Sequence, residues 1–256
     1  MRASLVQFDI AWEDPAANFA RVRALLAANP PAPGGLVVLP EMFATGFTMD
    51  AARAAEGTDG EQQAFVAALA LEYRCIVLGG VVLRAEGSRP TNAAVAFGPE
   101  GTRLVAFGKL HGFSPAGEDT VYARGDRVAT FRCGPFVAAP FVCYDLRFPE
   151  VFRMAVDDGA DLFVVPANWP ARRERHWLAL LSARAIENQA YVVGVNRVGR
   201  DPNADYNGRS VVIDPLGVVV ADAGEQERVV GVDLDAGLLR DWRRDFPALR
   251  DRRRAG

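Results

Sequence analysis

Apolar and polar positions along this chain repeat with two periods, and each period predicts its own elements. Residues 3–8 read as a first strand. Asp14-Pro15 then offers a cap and a proline at the first helical position, and Phe19, Val22, Leu25 and Leu26 recur at helical spacing. The stretch 30–35 breaks that helix. Residues 36–39 form a short apolar run of the kind a buried parallel strand shows. A second helix is predicted over 62–73, where Phe65, Leu69 and Tyr73 lie four apart, and a strand over 75–83. Residues 92–97 and 103–107, joined by Gly98-Pro99-Glu100-Gly101, read as a hairpin. A long Gly-rich loop carrying Glu118 follows. Residues 128–131 and 136–142 are two further strands about the turn Cys133-Gly134-Pro135.

Pro149 stands where a helix would begin, and Val151, Phe152 and Ala155 continue its apolar face to about Gly159. Then come a strand over 161–165, a long amphipathic helix over 172–189 and a strand over 191–195. Residues 197–209 look polar and loop-like. A hairpin over 210–213 and 218–222 and a last strand over 229–232 precede a charged tail from about residue 240 to 256. Strands alternating with helices predict a single α/β domain over 1–256.

Composition narrows the picture. Half of the 256 residues are apolar, enough for one sizeable core, and the net charge of −3 argues against a nucleic-acid partner. The apolar stretch at the N-terminus is too short for a signal peptide, and no run is long enough to span a bilayer. Three cysteines without paired spacing fit a cytoplasmic protein with reduced thiols. Two histidines are too few for most zinc sites, and neither a Gly-x-Gly-x-x-Gly nor a P-loop pattern appears. No metal and no cofactor are expected.

Where the strands stop is where chemistry enters. One predicted strand ends at Glu41, one at Lys109 and one at Cys143, and ligands gather at the carboxyl ends of strands in open α/β sheets. An ordinary cysteine is only a few per cent thiolate at neutral pH, so a nucleophilic one needs a base or a cation beside it. Glu41 would take the thiol proton. Lys109 and the N–H of Tyr144 would hold the oxyanion formed when sulfur attacks a carbonyl. That set describes acyl transfer from an amide to water. Cys75 and Cys133 read as small buried hydrophobes, and His111 as structural.

Leu39-Pro40-Glu41, Gly108-Lys109-Leu110-His111 and Val142-Cys143-Tyr144-Asp145-Leu146-Arg147-Phe148-Pro149 together resemble the nitrilase superfamily of carbon–nitrogen hydrolases, over nearly the whole chain. The resemblance implies an α/β fold with a four-layer α-β-β-α sandwich, a homodimer, and catalytic roles for Glu41, Lys109 and Cys143. Glu118 matches a second glutamate of the family. Leu39 to Phe47, Ala167-Asn168-Trp169-Pro170 and the stretch 183–191 resemble the bacterial ω-amidases of the 2-oxoglutaramate type. That branch implies cleavage of the terminal amide of 2-oxoglutaramate or 2-oxosuccinamate to ammonia and a 2-oxo diacid. The alternatives are a nitrilase, a carbamoylase, another aliphatic amidase, or a non-catalytic scaffold. One departure is Gly112, where a bulky apolar residue is expected.

A substrate of this kind carries a carboxylate, so its pocket should hold a cation. Arg147, Arg172 and Arg173 are the candidates. Phe43, Phe47, Phe113 and Trp169 are expected to wall the site.

Overall fold

The computed structural model describes residues 1–84 and 87–253. Strand β1 (Arg2–Gln7) leads to helix α1 (Pro15–Ala28), the short β2 (Leu36–Val38) and the single turn α2 (Ala51–Ala54). Helix α3 (Glu61–Tyr73) precedes the meander β3 (Ile76–Leu83), β4 (Thr91–Phe97) and β5 (Arg103–Gly108). After the one-turn α4 (Glu118–Val121) come β6 (Phe131–Cys133), β7 (Phe136–Pro140), α5 (Pro149–Asp157), β8 (Leu162–Ala167), α6 (Glu174–Asn188) and β9 (Tyr191–Asn196). The chain closes with β10 (Val198–Arg200), β11 (Asp205–Asn207), β12 (Val211–Ile213), β13 (Val219–Asp222), β14 (Arg228–Asp233) and α7 (Ala236–Asp245).

Two six-stranded mixed sheets result, in the orders β14-β1-β2-β3-β4-β5 and β13-β12-β9-β8-β7-β6. The inner strands β1, β2 and β3 run parallel, as do β7, β8 and β9, while β14, β4 and β5 in the first sheet and β6, β12 and β13 in the second pair antiparallel. Side-chain alternation sorts the first sheet into two faces. Leu5, Leu36, Val38 and Leu78 face the second sheet and share one core with it. Val6, Val37, Leu39 and Val77 face outward, under Val22 and Leu26 of α1 and Phe65, Val66 and Leu69 of α3. Phe152 of α5 and Trp177 and Leu181 of α6 close the outer face of the second sheet. The order of layers is therefore helix, sheet, sheet, helix.

Local sequence explains the ends. Asp14 caps α1 by accepting from the Ala17 N–H at 3.0 Å, with Pro15 in the first turn. Pro149 opens α5 as its spacing predicts.

Several expectations are corrected. Residues 197–209 are not a loop: β10 and β11 form a separate two-stranded hairpin. The strand expected at 128 begins only at Phe131, and the helix expected at 172 starts at Glu174 after a 3₁₀ turn. The charged tail expected from about residue 240 begins inside helix α7. Leu239 of α7 is buried, Arg243 Nε donates to the Gln189 carbonyl at 2.8 Å, and Gln189 Nε2 donates to the Phe246 carbonyl at 2.7 Å. The last part of that tail, 254–256, lies outside the described residues.

Candidate active site

The carboxyl ends of β2, β5 and β7 converge, and each delivers its residue a step or more beyond the strand proper. β2 stops at Val38, and Leu39-Pro40 carry the chain to Glu41. Glu41 passes so close to β3 that a Cβ on Gly80 would lie 2.4 Å from the Glu41 Cα. Glycine is required at Gly80 by that approach. β5 stops at Gly108, and Lys109 follows it. β7 stops at Pro140, and Cys143 opens a 3₁₀ turn over Cys143–Arg147. Cys143 has φ of +46°, a left-handed conformation that costs a non-glycine residue about 1–3 kcal/mol and recurs where a nucleophile is presented.

Glu41, Lys109 and Glu118 are all at least 98% buried, and they form one charged group. Lys109 Nζ donates to Glu41 Oε1 at 2.9 Å and to Glu118 Oε1 and Oε2 at 3.0 and 2.8 Å. Asn92 Nδ2 bridges the two acids, 2.7 Å from Glu41 Oε1 and 2.7 Å from Glu118 Oε1. The remaining Glu41 oxygen accepts from the Asn168 N–H at 2.8 Å, and Glu118 Oε2 accepts from the Phe113 N–H at 2.6 Å. Burial alone would lower the Lys109 ammonium, but the Glu118 and Glu41 carboxylates outweigh it and hold it raised. Cys143 has the opposite balance. Burial pushes its thiol well above the ordinary range, Glu41 adds to the rise, and Lys109 offsets only part of it. The fold therefore favours the protonated form of the Cys143 thiol.

Asp145, fully buried, braces the turn that carries Cys143. Its Oδ2 accepts from the Val142 N–H at 3.1 Å, and its Oδ1 accepts from the His111 N–H at 2.9 Å and lies 2.8 Å from His111 Nδ1. The His111 ring stacks on Phe148 at 3.7 Å. One carboxylate thus ties the segment carrying Lys109 to the turn carrying Cys143. From the other side, Arg184 Nη2 donates to the Leu146 carbonyl at 2.8 Å.

Cys143 and Lys109 open onto a cavity of about 330 Å³. Phe47, Phe113, Tyr144 and Trp169 supply aromatic wall, and Arg147, Arg172 and Arg173 supply cations. The Arg147 guanidinium sits 5.0 Å from the Trp169 ring and 5.9 Å from the Tyr144 ring. The Arg173 guanidinium sits 5.0 Å from the Phe113 ring. Burial, then the like charges of Arg172 and Arg147, lower the Arg173 pKa from its ordinary value. Among the described residues none of the three arginines has an acidic partner.

Phe43 is the site expectation the structure overturns. It is fully buried in the outer core, with ring centroids 5.9 Å from both Phe19 and Phe65, and it is absent from the cavity wall. Met42 has φ of +43°, which turns the chain back and sends Phe43 under the helices while Phe47 reaches the cavity. Gly112 is explained by crowding, since a Cβ there would lie 3.0 Å from the Asp119 Cα. Sequence reasoning passed over Asn92, Asn168, Asp145 and Tyr206. The available signal was asparagine inside apolar strand patterns, where it is normally depleted. Among the described residues no group of three or more His, Cys, Asp and Glu is placed to hold a metal ion.

Fold and site together describe a hydrolase of amide carbon–nitrogen bonds. Residues 2–244 match the carbon-nitrogen hydrolase family, and the chain belongs to it. It is 38% identical to the omega-amidase YafV of Escherichia coli K12, over 98% of this chain and 96% of that protein. It is 36% identical to the 2-oxoglutaramate amidase of Paenarthrobacter nicotinovorans, over 85% of this chain and 78% of that one. Among solved structures it superposes with a TM-score of 0.94 on XC1258 from Xanthomonas campestris, a CN-hydrolase superfamily protein bearing an arsenic adduct in its active site. That pair shares 37% identity, covering 100% of this chain and 98% of the other. Amidase activity within the nitrilase superfamily follows from these relatives.

Proposed function

We propose that the protein is a thiol amidohydrolase that cleaves the terminal amide of a small 2-oxo acid ω-amide, 2-oxoglutaramate or 2-oxosuccinamate. One observation carries the reading. A cysteine and a lysine line one cavity, two buried glutamates lie behind them against the lysine, and the other charged residues of the cavity wall are three arginines without acidic partners among the described residues. Such a cavity suits a molecule with an amide at one end and a carboxylate at the other. The cations also disfavour an α-ammonium group, which separates a 2-oxo acid from its amino acid. The relatives named omega-amidase and 2-oxoglutaramate amidase support the same substrate class.

Catalysis then runs through Cys143. Glu41 takes the thiol proton as sulfur attacks the amide carbon, and the carbonyl oxygen becomes an oxyanion between Lys109 Nζ and the Tyr144 N–H. Glu41 returns the proton to the departing nitrogen, the C–N bond breaks, ammonia leaves and a thioester remains. A water enters, Glu41 accepts its proton, and oxygen attacks the thioester carbon. The C–S bond breaks, the acid is released and the thiol is restored. Glu118 and Asn92 keep Lys109 and Glu41 in register throughout.

The test is ammonia release from 2-oxoglutaramate, 2-oxosuccinamate, glutamine, asparagine, a simple aliphatic amide and a nitrile. The expected result is a preference for the 2-oxo amides. Equal turnover of glutamine, or turnover of the nitrile alone, contradicts the substrate assignment. Lys109→Ala is expected to lower kcat by about 10²–10³-fold while KM changes little, because its interaction strengthens in the transition state. A change confined to KM contradicts that role.

A further inference from the structure

One wall of the cavity comes from an element that supplies none of the acid, amine or thiol groups. Asn203, Ala204 and Tyr206 belong to the hairpin of β10 and β11 and line the same cavity as Cys143. The hairpin is held by buried charge. Arg197 is fully buried at its base, and Asp201 and Tyr206 are 5% and 6% exposed. Asp201 Oδ1 accepts from the Asn203 and Ala204 N–H groups at 2.7 and 2.8 Å and so closes the tip. Asp201 Oδ2 accepts from the Tyr206 hydroxyl at 2.6 Å. The Arg197 guanidinium lies 4.6 Å from the Tyr206 ring and donates to Asp9 Oδ1 at 2.8 Å, to the Ile10 carbonyl at 3.1 Å and to the Arg200 carbonyl at 3.2 Å. Just past β11, Arg209 Nη1 donates at 2.6 Å to Glu174, the residue directly after Arg172 and Arg173.

A surface connection of this length needs no buried guanidinium and no buried carboxylate. Both cost desolvation, which is offset here by their hydrogen bonds, by the Arg197–Asp9 ion pair and by the stacking of Arg197 on Tyr206. Their arrangement fixes the hairpin residues that line the cavity, among them one aromatic, Tyr206, and one with a single side-chain carbon, Ala204. We propose that this hairpin is a rigid gauge of substrate length. Tyr206 and Ala204 set how many carbons separate the scissile amide from the far end of the substrate, and Asp201 is the positioning residue that holds both. The gauge rests on the amidase reading above, not on which acid the substrate is.

The experiment measures kcat and KM for 2-oxosuccinamate, 2-oxoglutaramate and the six-carbon homologue, with butyramide, valeramide and hexanamide in parallel. Ala204→Leu, Asp201→Ala and Asp201→Asn are compared with the wild type. Ala204→Leu is expected to lower kcat/KM for the five- and six-carbon amides about tenfold or more relative to the four-carbon one. Asp201→Ala is expected to raise KM, leave kcat nearly unchanged and flatten the dependence on length. Asp201→Asn keeps the Oδ1 acceptor of the tip and is expected to restore the wild-type profile. Length profiles of Ala204→Leu and Asp201→Ala that run parallel to the wild type overturn the gauge. Should Asp201→Ala fail to fold, the Ala204→Leu profile decides alone. Turnover of the aliphatic series without the 2-oxo series would overturn the substrate assignment instead, and the gauge is then judged on the aliphatic profiles.

Discussion

A buried lysine between two glutamates, with a thiol that burial pushes toward its protonated form, defines the site at the scale of single residues. Because burial raises the Cys143 thiol, the fold favours its protonated form. That contribution to stability is fully present below the ordinary thiol range and is lost as pH climbs toward the raised value. The difference in thiolate absorbance near 240 nm between wild type and Cys143→Ser is therefore expected to stay flat through pH 8 and to appear only in alkaline solution. A thiolate step below pH 8 would contradict the neutral thiol. Glu41, Lys109 and Cys143 each follow an apolar run that stops abruptly, which made them candidates, but their joint role was expected from the resemblance to the nitrilase superfamily. Phe43 was misplaced because a positive φ at Met42 leaves no trace in a hydropathy pattern. Asn92 was missed because its partners lie 51 and 26 residues away along the chain.

At the scale of elements, strands with two-residue periods and helices with clear caps emerged from sequence within a few residues of their observed ends. The hairpin of β10 and β11 did not. Its strands are three residues each, and its stability comes from Arg197 and Asp201, side chains that read as solvated charges in a polar stretch. Helix α7 was hidden for a related reason, since arginines and aspartates dominate its sequence and leave a narrow apolar stripe around Leu239. The approach of β3 to the segment carrying Glu41 is likewise invisible in one dimension. Gly80→Ala places its methyl against the Glu41 backbone, so it is expected to cost about 1–3 kcal/mol of stability and to depress kcat by displacing Glu41. Urea denaturation and steady-state kinetics of the folded variant check both halves. A fully active Gly80→Ala would show that Glu41 tolerates displacement.

For the whole molecule, two sheets face to face bury a continuous core and leave the Cys143 thiol on the wall of one cavity. Cys75 and Cys133 lie inside the layers, with thiols pushed to about 12 by burial. Cys143 is 8% exposed and opens onto the cavity. Although its thiol is protonated at rest, Cys143 opens onto the cavity, where Glu41 can take its proton during attack, so prolonged treatment of the native protein with iodoacetamide is expected to label Cys143 before Cys75 and Cys133, which are labelled only after unfolding. Peptide mapping by mass spectrometry reads the result, and early labelling of either buried cysteine would mean that the layers open more readily than their packing implies. The α/β class was legible from the alternation of strands and helices, while the four layers were expected from the resemblance. The separation of the strands into two sheets rested on resemblance, since periodicity does not report which strands are neighbours.

Ammonia release from 2-oxoglutaramate, with the 2-oxo diacid identified as co-product, by wild type and Cys143→Ala side by side, tests the central claim most directly. The account predicts stoichiometric ammonia and diacid from the wild type and none above background from a folded Cys143→Ala. Undiminished release by Cys143→Ala would contradict the claim that sulfur forms the bond that replaces the amide.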